Sequence, residues 1–223
     1  MKHSLYAPLA LCAALCAAMP AHAQQAGQWL FRGGVMSIIP DVTSDDLSAP
    51  TVPGAKIDVE SATTVAGGIS YMLTDNWSVD LPLAWPLKHH IKGAGSIAGS
   101  GEIGTTKVAP ATLFAQYRFF EAQAQVRPYV GLGLTYAIFF DETANGTLTA
   151  LTDPGGAGTT MKIKDHFGLT PQVGLTYAVN DKVFVEGMVA KSLLKTTTTL
   201  STGQSIETKL NPWTLGLYVG WKY

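Results

Sequence analysis

The sequence predicts an all-β chain: an eight-stranded antiparallel transmembrane β-barrel, preceded by a cleaved signal peptide. Three observations predict it. The last residues alternate strictly, with Trp213, Leu215, Leu217, Val219, Trp221 and Tyr223 on one face and Thr214, Gly216, Tyr218, Gly220 and Lys222 on the other. That period of two is a strand, and an aromatic-rich face at its ends suits lipid and the membrane interface. Charged residues make up only 14% of the chain, against ~25% in ordinary globular proteins, yet after the N-terminus no run nears the ~18 apolar residues of a spanning helix. Finally, the connections between alternating segments run long, short, long, short, as external loops and periplasmic turns do.

The N-terminus sets the compartment. Met1-Lys2-His3 is a basic start, residues 5–18 are apolar, and Ala21-His22-Ala23 is a small-x-small cleavage site. Residues 1–23 are therefore expected to be a signal peptide and residues 24–223 the barrel domain of a Gram-negative outer membrane. Both cysteines, Cys12 and Cys16, fall in the signal segment, so the mature chain has no thiol for a disulfide, a zinc site or a nucleophile. Removing Lys2 leaves 14 basic against 16 acidic residues. Without a basic stripe, nucleic acid is not an expected partner.

The first strand covers residues 29–38, with Trp29, Phe31 and Val35 on one face and Arg32, Gly34 and Met36 on the other. Residues 39–62 carry Pro40, Pro50, Pro53 and Gly54 and read as a loop that cannot be a strand. Residues 63–73 form the second strand, and Thr74-Asp75-Asn76 a tight turn. The third, residues 77–91, alternates Trp77, Val79, Leu81, Leu83, Trp85 and Leu87 outward with Ser78, Asp80, Pro82, Ala84, Pro86 and Lys88 inward. Its prolines predict broken pairing. After a Gly/Ser-rich loop come the fourth strand, residues 108–119, and the fifth, residues 126–140, whose inner face is made of small residues. Residues 141–164 read as a loop, 165–179 as the sixth strand with His166 inward, and 183–194 as the seventh with Glu186 inward. Residues 195–209 read as a Thr-rich loop before the closing strand. An even count places both termini in the periplasm.

Assigning each strand a direction sorts the outward aromatics. Trp29, Trp77, Trp221 and Tyr223 fall at periplasmic ends, and Trp85 and Trp213 at external ends, as two interfacial girdles. Membrane lipid and lipopolysaccharide are the expected surroundings. The terminal aromatic resembles the signal read by the outer-membrane assembly machinery.

The inner face divides by depth. Arg32, Asp80, Gln116, Arg118, Glu186 and Lys222 fall in the periplasmic half. In a narrow lumen they should pair into a salt-bridged floor, a role compatible with simple space-filling. Met36, Ile38, Ala84, Ala190 and Leu194 point inward in the external half, with Lys88 and His166, and suggest an apolar vestibule for a small hydrophobic solute. Pro82, Pro86, Pro110, Pro128 and Pro171 lack donors and are candidate sites for a lateral opening; the plainer reading is that they shape bends.

No catalytic residue, metal site or cofactor is expected. His89 and His90 alternate across a strand, as do Asp165 and His166, so neither pair forms a metal site or an oriented base. No Gly-rich loop opens a helix onto a phosphate.

The run 126–134, Val-Arg-Pro-Tyr-Val-Gly-Leu-Gly-Leu, continues to Phe139-Phe140-Asp141. With Phe167-Gly168-Leu169, Gln172-Val173-Gly174, Asn76-Trp77, Pro86-Leu87-Lys88-His89 and Asn211-Pro212-Trp213, it resembles the outer membrane protein W family across the mature chain. The resemblance implies an eight-stranded barrel with an apolar outer lumen. It also implies passage of small hydrophobic compounds, with relatives linked to alkane uptake. The first loop departs from the family pattern, so no gate residue is carried over there. The rival readings are a structural or receptor barrel whose loops bind phage, toxin or host surfaces, a lipid-acting barrel enzyme, and a soluble periplasmic ligand barrel.

Overall fold

A computed structural model describes residues 24–223; the expected signal segment, with Cys12 and Cys16, lies outside them. The first half of the chain forms β1 (Trp29–Ile39), β2 (Thr43–Ser44), β3 (Ala55–Val59), β4 (Ala62–Met72), β5 (Trp77–Ala84), β6 (Leu87–Gly95) and β7 (Glu102–Arg118). The second forms β8 (Val126–Ala144), α1 (Gly146–Thr152), β9 (Met161–Ile163), β10 (His166–Ala178), β11 (Val183–Lys191), β12 (Lys195–Leu200), β13 (Ser205–Lys209) and β14 (Trp213–Lys222).

Ten of these strands make one sheet in the order β3-β6-β7-β5-β4-β1-β14-β11-β10-β8, and a β7–β8 pairing closes it. β3 prolongs β4 and β6 prolongs β5, so the wall is an antiparallel barrel of eight staves. The first and last staves seal it, with Leu30 opposite Lys222 and Ile39 opposite Trp213. This closure leaves neither terminal stave with a free edge, as a wall in hydrocarbon requires.

Alternation decides which side chains enter the lumen. On β1, Trp29 is 45% exposed and Leu30 1%. Outward aromatics gather at the two ends. Near the tight turns, Trp29 lies 4.8 Å from Tyr71, and Tyr117 lies 5.2 Å from both Trp77 and Phe119, centroid to centroid. At the loop end Tyr136 and Phe167 are 4.4 Å apart, and the Lys191 ammonium lies 4.7 Å over Trp213. Trp85, Trp221 and Tyr223 also stand exposed on the outer wall.

Inside, glycines make room for the rings of neighbouring staves. A Cβ at Gly174 would strike Tyr129, one at Gly216 would strike Tyr218, and one at Gly220 would strike Phe184. Eight staves leave so little width that these inward rings each sit beside a missing side chain.

Three expectations change. Residues 39–62, 141–164 and 195–209 are not plain loops; the middle one carries the end of β8, α1 and β9. β2, β13, β12 and β9 form a second sheet above the barrel mouth, and β3 pairs with β6 from Ala55–Gly95 to Val59–Ile91. The hairpin β12–β13 buries Thr196, Thr198, Leu200, Ile206 and Thr208. Its alternation is written largely in threonine, a good strand former that a hydrophobic pattern does not register.

The third stave also reverses its faces. From Asp80 to Leu87 it advances seven positions, while its partner β7 goes from Phe114 to Val108, six. The extra residue flips the parity, since side chains alternate with a period of two. Leu87, His89 and Ile91 therefore enter the lumen, and Lys88 faces outward, against expectation. His166 too is exposed, at the first position of β10, rather than inside.

Beside the second sheet, α1 is capped by the Asn145 side chain, which accepts from the Thr147 and Leu148 amides. Leu148 then joins Ile91, Ile103, Phe139, Met161, Ile163 and Leu200 in an apolar cluster that roofs the lumen.

Candidate transport chamber and its polar floor

At the turn end the lumen is filled by three polar tiers. The lowest holds Gln24 and Arg127, both buried. Arg127 donates from Nη1 to the Gln24 carbonyl (3.0 Å) and from Nη2 to the Asp75 carbonyl (2.6 Å), tying two turns and the N-terminal segment together. The Gln24 amide reaches Thr176 Oγ1 at 3.4 Å. Lys222 is half-buried here and lines a small pocket with Gln24, Arg127 and Thr176.

The middle tier is Arg118, wholly buried. It donates to Gln116 Oε1 (3.0 Å), Gln24 Oε1 (3.3 Å) and Ser78 Oγ (3.4 Å), and its guanidinium lies 4.9 Å from the Tyr129 ring centroid. Gln116 bridges onward to Gln172 Oε1 at 3.1 Å.

The upper tier is an ion cluster. Arg32 holds Asp80 with both ends of its fork, at 2.6 and 2.9 Å. Ser70 donates to the same carboxylate at 2.5 Å. Arg32 Nε lies 3.5 Å from Glu186, an ion-pair distance without hydrogen-bond geometry, and the Tyr129 hydroxyl donates to Glu186 at 2.9 Å. Such an arrangement resolves the cost of burial, because each carboxylate keeps a cation and a donor.

The structure thus brings Arg32, Asp80 and Glu186 into one cluster, sets Gln116 and Arg118 just below it, and leaves Lys222 at the rim. Hydrophobicity-led reading passed over Arg127, Tyr129 and Tyr218, although strand parity already pointed them inward. Gln24 precedes the first strand, where no periodicity could mark it. Replacing Arg118 and Glu186 together with Ala should open this stack to water and raise ion conductance in planar bilayers. Unchanged conductance would show that the tiers are not what blocks the lumen.

Above the cluster the lumen opens into a chamber of about 1130 Å³, counted to its open mouth. Met36, Ile38, Ala84, Ala190 and Leu194 all line it, with Phe114 and Met188 toward its base. Among the described residues no Asp, Glu, Lys or Arg lines its wall; His89 does, with Nδ1 2.8 Å from the Glu60 carbonyl. A second apolar cavity of about 570 Å³ lies under the external sheet. Ile57, Ile91 and Thr198 line both cavities, so the two stand in series.

The wall of the chamber lapses most widely between β5 and β7. β5 pairs with β7 only from Trp77–Tyr117 to Asp80–Phe114, and pairing resumes on β6 at Leu87–Val108. Residues 81–86 and 109–113 have no ladder partners across that seam, although each flank stays bonded on its other side. Pro82 and Pro86 lie on one lip and Pro110 on the other, and Pro82, Ala84, Pro110 and Thr112 also line the chamber. A proline cannot supply the missing donor. Pro128 and Pro171 are elsewhere, in the continuous β8–β10 ladder opposite Leu175 and Leu132. Pro128 therefore offers no opening, whereas Pro171 stands on the β10 edge toward β11, where pairing stops at Gln172–Ala190 and returns as one bridge at Leu169–Leu193.

Outside the membrane band, several ion pairs are exposed at both partners. The hydrogen-bonded contact between Lys92 and Glu60 raises the lysine pKa and lowers that of the glutamate. Exposed pairs of this sort add little to stability.

Comparison with known proteins agrees with this architecture. The OmpW family pattern matches residues 25–223. Outer membrane protein W of Vibrio cholerae is 38% identical, covering 96% of this chain and 97% of its own. The crystal structure of the outer membrane protein OprG from Pseudomonas aeruginosa superposes with a TM-score of 0.82 at 27% identity, over 91% of this chain and 98% of that one. Outer membrane protein AlkL, solved in DMPC lipid bilayers, gives a TM-score of 0.65 at 25% identity, over 89% and 91% of the two chains. With a closed barrel, two aromatic girdles and these relatives, the chain is a β-barrel of the outer membrane and belongs to the OmpW family.

Proposed function

We infer that the barrel is a passive channel for small hydrophobic molecules, which enter from outside and leave sideways into the membrane. The observation that carries this reading is the position of the seam. An apolar chamber sits on a polar stack that fills the lumen below it, and the chamber wall is unpaired at residues 81–86 and 109–113. An apolar solute gains by burial against Met36, Ile38 and Met188. It would lose that gain by crossing the ion cluster toward the periplasm. The seam offers hydrocarbon at the same depth. Membrane lipid and lipopolysaccharide would surround the girdles, and the terminal strand ending in Tyr223 suits recognition by the assembly machinery.

The test is uptake of an apolar fluorophore into vesicles whose outer leaflet is lipopolysaccharide, a leaflet such solutes cross slowly. Vesicles carrying the barrel should fill faster than empty ones. Equal rates would favour a receptor role, with the external sheet binding phage, toxin or host surfaces and no solute passing.

A further inference from the structure

Four hydroxyls on adjoining segments of the chamber wall form a row. Thr112 on β7 lies 2.9 Å from Thr135 on β8, oxygen to oxygen, and Thr135 lies 2.6 Å from Thr170 on β10. Thr170 donates to Ser192, just beyond β11, at 3.0 Å. All four are buried, and all four line the chamber.

Each hydroxyl has one proton to give. Thr170 gives its proton to Ser192, so Thr135 must supply the proton between Thr135 and Thr170. By the same count Thr112 supplies the one between Thr112 and Thr135. The row has one direction, and it delivers an unused donor at Ser192. Hydroxyls polarised in series make a better terminal donor than one alone. Elsewhere on the chamber wall, Thr208 is buried and its hydroxyl has no hydrogen-bond partner. Buried polar groups without partners are rare, and this one adds a second hydroxyl able to bond a guest in the chamber.

We propose that the Thr112–Thr135–Thr170–Ser192 row is a binding subsite for a neutral oxygen acceptor on an aliphatic molecule, such as a ketone or alkanol. The aliphatic chain lies along Met36, Ile38 and Met188. The free proton at Ser192 selects an acceptor. Among the described residues no Lys or Arg lines the chamber wall, which selects against a carboxylate buried there without a fixed cation. This assignment rests on the uptake reading and narrows it from any apolar solute to one carrying a single neutral oxygen.

The row could instead serve only the wall. Backbone pairing of β10 with β11 ends at Gln172–Ala190 and reappears as one bridge at Leu169–Leu193, and the Thr170–Ser192 bond spans that interval. A purely structural row would affect folding and leave ligand choice untouched, and that difference is the basis of the test.

The barrel is labelled with 13C at its methionine methyls, placed in lipid nanodiscs and titrated with 2-octanone or n-octane. Met36 and Met188 line the chamber and report occupancy. In the wild type, 2-octanone should saturate those shifts at the lower concentration. Ser192→Ala and Thr170→Val should each weaken the ketone by about tenfold, the worth of one hydrogen bond, and leave octane unchanged. Heat-modifiable gel mobility checks that the variants are folded. If both ligands bind alike in the wild type, or both weaken alike in the variants, the inference is overturned while the uptake reading stands. If neither ligand moves the two methyls, both readings fail.

Discussion

Arg32→Met is expected to destabilise the barrel by about 3–5 kcal/mol, the cost of removing one partner from a buried ion pair. Arg32 is the cation shared by Asp80 and Glu186, and all three are buried. Without the guanidinium, two carboxylates face each other in a lumen too narrow to hydrate them. Ser70 and Tyr129 each still donate one bond, which does not replace a charge. The check is unfolding in urea from lipid vesicles, followed by tryptophan fluorescence. Adding Asp80→Asn and Glu186→Gln to the variant should restore much of the loss, because a neutral, hydrogen-bonded cluster no longer needs the cation. Loss that persisted in the triple variant would mean that packing, and not charge, holds this tier. Gly68 makes the geometry strict, since a Cβ there would strike the Arg32 guanidinium.

Closing the seam is expected to abolish uptake. Leu83→Cys with Ala111→Cys places a thiol on each lip, facing outward, where the described residues hold no other cysteine. Oxidation then ties residues 81–86 to residues 109–113. Uptake into lipopolysaccharide-faced vesicles should fall by an order of magnitude or more, about 1.4 kcal/mol or greater on the barrier. Dithiothreitol should restore it. The same pair moved to the continuous wall, Leu132→Cys with Pro171→Cys, should change little. Unimpaired uptake through the oxidised seam would sink lateral exit and send the route elsewhere. Gel mobility before and after reduction measures how much protein is bridged, so an unformed bridge is not mistaken for an indifferent one.

Much of this molecule was legible before folding. The turn ends of the staves lie close to where alternation places them, because an outward residue must meet lipid and an inward one must not, whereas β7 and β8 run further outward, to Glu102 and Ala144. Arg32, Asp80, Gln116, Arg118 and Glu186 follow from parity alone. So do Met36, Ile38, Ala84, Ala190 and Leu194, which line one chamber. Leu87 and Lys88 were misplaced because parity survives only until a bulge inserts one residue, and periodicity does not locate the bulge. The external sheet was missed because Thr196, Thr198 and Thr208 alternate without being apolar. Pro128 and Pro171 share the chemistry of Pro82 and Pro110, so sequence could not rank them.

The sequence by itself determined a barrel, its stave count, its girdles and the split between a polar turn end and an apolar loop end. Each of these depends on which face a residue occupies, a local property of period two. Only the tertiary structure decided which inward residues meet. Arg32 joins Asp80 and Glu186 across staves far apart in sequence, Gln24 slots beneath Arg118, and four hydroxyls from four segments form one row. The seam was decided there as well, because a missing ladder is a property of two strands and not of either proline. Register across a closed wall follows from the whole circuit of hydrogen bonds, and no single stretch of chain contains it.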